Sequence, residues 1–141
     1  MYSTLVKSQD QALCHLYFHC ALKDGVLSEA ETDALAERFV TLGMQKTLNF
    51  KNEMDAYRSY RDDIKDEPLY LEYLLQLVNP VNELALFSNC VELAVSDELL
   101  DTREESLLKK IGSILNIDEP KQQTIQSLVV EKKVVETKKI I

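Results

Sequence analysis

Asp24, Glu31, Asp97, Asp101 and Glu104 are the side chains of this sequence best suited to holding a cation. They fall in two short stretches, LKDGVLSEAE at 22–31 and SDELLDTREE at 96–105. The first resembles the second half of a calcium-binding loop of the EF-hand type, which takes ligands at its positions 1, 3, 5, 7, 9 and 12 with Gly at 6. Asp24, Gly25, Val26, Ser28 and Glu31 would fill positions 5, 6, 7, 9 and 12, but positions 1 and 3 fall on Cys20 and Leu22. A thiol and an isobutyl group offer a hard cation no oxygen, so the sequence predicts weak binding of calcium or magnesium at most.

Both stretches also have a purely structural reading. Ser28 with Glu31, and Asp101 with Glu104, have the spacing of capping boxes, in which each side chain satisfies an orphan amide of the first helical turn. Asp24 and Asp97 close the preceding helices, near the negative pole of the helix dipole, a placement that costs about 0.3–1 kcal/mol unless loop amides or a cation compensate. Capping alone explains the glutamates. The doubled placement of the aspartates keeps the cation reading open beside it.

His15 and His19, four residues apart, have a spacing that can chelate zinc or copper. Cys14 and Cys20 point elsewhere around a helix, which leaves two ligands where zinc wants three or four. With Gln11 and Lys23 the histidines form a polar stripe, expected to face solvent or a partner. Tyr57, Tyr60, Tyr70 and Tyr73 cluster beside RDDIKDE (61–67) and offer an aromatic, acidic surface to a partner with a basic surface. Tyrosines at this spacing also serve as core residues with a hydroxyl at the rim. No phosphate-binding glycine loop, serine-hydrolase elbow or HExxH motif occurs, and no cysteine has a histidine base at a defined spacing. A non-enzymatic protein is expected, without catalytic residues.

The elements that must position these groups are helical. With three Gly and three Pro in 141 residues, the chain lacks the turn residues of an all-β fold. Its 24 acidic against 16 basic residues, a net charge of −8, oppose contact with nucleic acid or anionic lipid. Three cysteines without CxxC fit a reducing, cytoplasmic compartment, and neither a signal-type N-terminus nor a membrane-length apolar run is present. Periodicity and caps predict seven helices: about 9–23, 28–43, 49–64, one from each DEP (66–68 and 118–120), one from Asn79-Pro80 to about Ser96, and one from Asp101 to about Leu115. The tail at 132–141 either extends the last helix or frays.

Sliding the chain by 73 residues aligns Asp10–Met44 with Glu83–Ile117 and matches Ala12/Ala85, Leu13/Leu86, Ala21/Ala94, Asp24/Asp97, Leu27/Leu100, Glu31/Glu104, Leu35/Leu108 and Leu42/Leu115. This reads as an internal, pseudo-twofold repeat of helix hairpins within a single domain spanning 1–141. A helix, KDGVLSEAE, a second helix, and a degenerate copy at SDELLDTREE together resemble the TerB-like family of tellurite-resistance proteins. The resemblance covers about 9–130. It implies an all-α domain of seven helices, an association with stress response, an acidic surface proposed to bind divalent metal, and no established reaction. Asp24 and Glu31 fall on the family motif; Asp97 and Glu104 match in the second copy, where Glu98 replaces the glycine.

Overall fold

Ser8 sets the start of the helix that organises the first part of the chain. Its hydroxyl accepts from the amide of Gln11, and the Gln11 side chain accepts in return from the amide of Ser8. The computed structural model describes residues 1–22, 29–95 and 102–137, leaving aside the side chains of Ala30, Glu31, Ala34 and Thr137. Among these residues there are eight α-helices, two 3-10 turns (Met44–Lys46 and Arg61–Asp63) and no strand. The helices are α1 (Tyr2–Leu5), α2 (Gln9–Ala21), α3 (Glu29–Thr41), α4 (Phe50–Tyr60), α5 (Glu67–Val78), α6 (Glu83–Ala94), α7 (Thr102–Ile114) and α8 (Glu119–Thr137). The extra helix relative to the expected seven is the single turn α1. None is long and apolar enough to cross a membrane.

The chain gathers into two compact units, Met1–Asn79 and Pro80–Ile141. In the first, α2 is flanked by α5, α4 and α3. Ala12, Cys14, His15, Leu16, Tyr17, Phe18, His19 and Cys20 are all buried, so α2 is enclosed on nearly every side rather than amphipathic. The expected solvent-facing stripe is thereby corrected at His15 and His19. α3 stops at Gly43, whose φ of 76° lies in the left-handed region open to glycine. Tyr2 of α1 lies against Tyr70, Tyr73 and Tyr60, with ring centroids 4.8, 5.3 and 6.0 Å away. The Tyr73 hydroxyl donates to the carbonyl of Val6 at 2.6 Å, which ties the N-terminal segment to α5.

In the second unit α6 packs on α7 and α8 around Leu86, Phe87, Cys90, Val91, Leu107, Leu108 and Ile111. Both DEP segments start helices as expected. Asp66 caps α5 by accepting from Leu69, and Asp118 caps α8 by accepting from Lys121 at 2.9 Å. The Asn79-Pro80 start moves. Asn79 ends α5 in a left-handed conformation (φ 45°), and Asn82 caps α6 by accepting from Ala85. The tail continues α8 as far as Thr137.

Under the 73-residue offset, α2 and α6 end together at Ala21 and Ala94, and α3 and α7 share both ends. The buried faces differ. His15 and His19 correspond to Ser88 and Glu92, so the residues that organise α2 have no equivalents on α6.

Candidate functional site

α4 carries Glu53, Tyr57 and Tyr60 at i, i+4 and i+7, the spacing of one helical face, and that face meets His15 and His19 on α2. The result is two parallel clamps. His15 Nε2 lies 2.8 Å from Glu53 Oε1, and its Nδ1 lies 2.6 Å from the Tyr60 hydroxyl. His19 Nε2 lies 2.8 Å from Glu67 Oε2, and its Nδ1 lies 2.8 Å from the Tyr57 hydroxyl. An ionised carboxylate only accepts, so in each clamp Nε2 carries a proton and donates to the glutamate, and at His15, whose burial disfavours the charged form, the bare Nδ1 accepts from Tyr60. Tyr60 in turn lies 2.6 Å from Tyr70, whose hydroxyl donates to the Tyr60 oxygen. Helices α2, α4 and α5 are therefore joined by one directional chain, from Tyr70 through Tyr60 and His15 to Glu53.

Burial sets the protonation of this chain. It holds His15 below the ordinary histidine range, opposed by the hydrogen bond and charge of Glu53, so the imidazole is neutral as the tautomer argument requires. Burial also pushes up the phenols of Tyr57, Tyr60 and Tyr70, and the Tyr70 hydrogen bond partly offsets the effect at Tyr60. The Cys14 thiol is raised by burial and then by Glu53, which makes it a core group rather than a nucleophile. Both nitrogens of each histidine are engaged, which leaves no imidazole lone pair for a metal.

The expected tyrosine surface is corrected accordingly. Tyr57, Tyr60 and Tyr70 are 0%, 2% and 0% exposed, and only Tyr73 is half-buried. Local spacing could not separate an aromatic patch from a core that needs hydroxyl partners for two buried histidines. The residues missed were Glu53 and Glu67. The signal for Glu53 lay in the matching i, i+4 spacings of His15/His19 and Glu53/Tyr57; Glu67, on another helix, lies outside that pattern. At the end of α2 the second clamp opens into a cleft of about 210 Å³ lined by His19, Tyr57, Arg61, Asp62, Lys65 and Glu67. Arg61 closes its base by donating to the Leu22 carbonyl at 2.7 Å.

Of the carboxylates singled out for a cation, Asp24, Asp97 and Asp101 lie outside the described residues, as do both expected capping boxes through Ser28 and Asp101. Glu31 belongs to the first turn of α3, and Glu104 to the first turn of α7, where it is 3% exposed. Helices α3 and α7 begin one residue after Ser28 and Asp101, where those caps would place them. Among the described residues no group of three His, Cys, Asp or Glu side chains could hold a metal ion.

The sequence profile of the family described as "Tellurite resistance protein TerB" matches residues 10–127, through both units and both acidic stretches. The chain belongs to the TerB family. No match was found among curated proteins or among solved structures. For a TerB-family chain the histidine clamps are a means of fixing α2 against α4 and α5, immediately before the first acidic stretch begins.

Proposed function

We propose that this protein is a non-enzymatic, cytoplasmic, stress-associated TerB-family protein that holds a divalent cation weakly at its two acidic elbows, through Asp24, Glu31, Asp97, Asp101 and Glu104. The family match over residues 10–127 carries the reading. The net charge of −8 supports it, since a cation relieves repulsion among clustered carboxylates. Calcium or magnesium is the expected ion, because the donors are hard oxygens.

Calorimetric titration of the metal-free protein with calcium, magnesium, manganese and zinc tests this. The expected dissociation constants for calcium are no tighter than about 0.1–1 mM, the range of weak calcium modules. Combining Asp24→Asn with Asp97→Asn should abolish the heat while the helical circular dichroism persists. Submicromolar calcium binding would sink the half-loop reasoning, and equal binding by the double variant would remove the elbows as the site.

A further inference from the structure

Helices α7 and α8 of the second unit line a groove of about 490 Å³ with polar residues, whose aliphatic stems and polar heads share its surface, with Thr102, Ser106 and Lys109 on one side and Glu119, Gln122 and Gln126 on the other. Two of these side chains are withdrawn from bulk water yet incompletely used. Gln122 is 4% exposed and donates through Nε2 to the Ile117 carbonyl at 2.7 Å, which leaves its Oε1 without a donor among the described residues. Gln126 is 9% exposed, and its amide makes no hydrogen bond among the described residues. No fully buried polar side-chain atom of the described residues lacks a partner, so these free amide atoms open into the groove. A buried amide that faces only a groove is satisfied by whatever occupies it.

We infer that this groove is a binding site for the main chain of an extended peptide segment carrying basic residues. Glutamine amides and the Thr102 and Ser106 hydroxyls both donate and accept, as a peptide main chain does. Gln122 and Gln126 are separated by a helical rise of about 6 Å, close to the two-residue repeat of roughly 6.6–6.8 Å in an extended strand, so successive same-side amides of the ligand meet successive glutamines. Other ligand chemistries fit less well. The walls hold one cation, Lys109, already 3.3 Å from Glu119, so no cluster awaits a phosphate, and no aromatic ring lines the groove to stack on a sugar or base. Glu105, in a chain of charge −8, selects lysine or arginine side chains on the ligand. The inference is independent of the cation reading, because neither Gln122 nor Gln126 is an elbow residue.

The test is nuclear magnetic resonance titration of the full chain with a short alternating alanine–lysine peptide, following the glutamine side-chain amides. Saturable shifts are expected at Gln122 and Gln126, with affinity falling about five- to tenfold in Gln126→Ala and in Ser106→Ala on the opposite wall. A peptide of the same sequence methylated on its backbone nitrogens should lose binding, and an alanine–glutamate peptide should bind more weakly. The unperturbed amide spectrum of each variant confirms that it is folded. Absence of shifts at millimolar peptide would overturn the proposal. So would equal binding of the backbone-methylated peptide or unchanged affinity in both variants, since charge alone would then account for the interaction.

Discussion

His15 stands between a carboxylate and a phenol in the interior, and its neutrality has a measurable consequence for stability. Because burial depresses its basicity in the folded state, the unfolded chain binds the proton first as pH falls through the ordinary histidine value of about 6.5. The stabilisation is present above that value and is lost as the solution becomes more acidic. Urea denaturation at pH 7 and at pH 5 should show this loss in the parent protein and a smaller loss in His15→Gln, which keeps a donor for Glu53 but does not titrate. An identical pH dependence in the two proteins would contradict the clamp. Removing the partner is the harsher change: Glu53→Ala leaves a buried imidazole N–H without an acceptor, which costs about 1–3 kcal/mol. Sequence periodicity suggested the opposite environment for His15 and His19, since polar residues four apart ordinarily mark a wet face. Their partners lie 38 to 48 residues away in the chain, beyond the reach of any local pattern.

At the scale of the element, the legible boundaries were those with one chemical meaning. Asp followed by Glu-Pro can cap and open a helix but cannot continue one, and both copies did so. Asparagine is ambiguous, because it serves equally as an N-cap and as a left-handed helix terminator. Asn79 took the second role, leaving Asn82 to start α6. The α7–α8 pair contains a contact that neither periodicity nor caps reveal: a Cβ added at Gly112 would land on the Gln122 amide. Gly112→Ala gains about 1 kcal/mol of helix propensity but displaces a side chain pinned to the Ile117 carbonyl, an overpacking that costs about 1–3 kcal/mol. Chemical denaturation should therefore find Gly112→Ala neutral to destabilising on its own. In a Gln122→Ala background the same change should stabilise by about 1 kcal/mol. Equal effects in both backgrounds would rule out the close packing of these helices.

For the molecule as a whole, the all-helical class and the TerB family were both visible in the sequence, because helix caps, scarce turn residues and the acidic elbow motif are local features. The histidine clamps and the glutamine groove were not, because each depends on which face of one helix meets another. The acidic elbows are the common thread between the sequence motif and the function proposed for it. The most direct measurement is paramagnetic line broadening of backbone amides by trace manganese, residue by residue along the chain. If the elbows hold a divalent cation, amides around 24–31 and 97–104 should broaden first, calcium should restore them, and Asp24→Asn with Asp97→Asn should leave them sharp. Broadening centred elsewhere, or none at manganese concentrations that broaden free carboxylate peptides, would contradict the account.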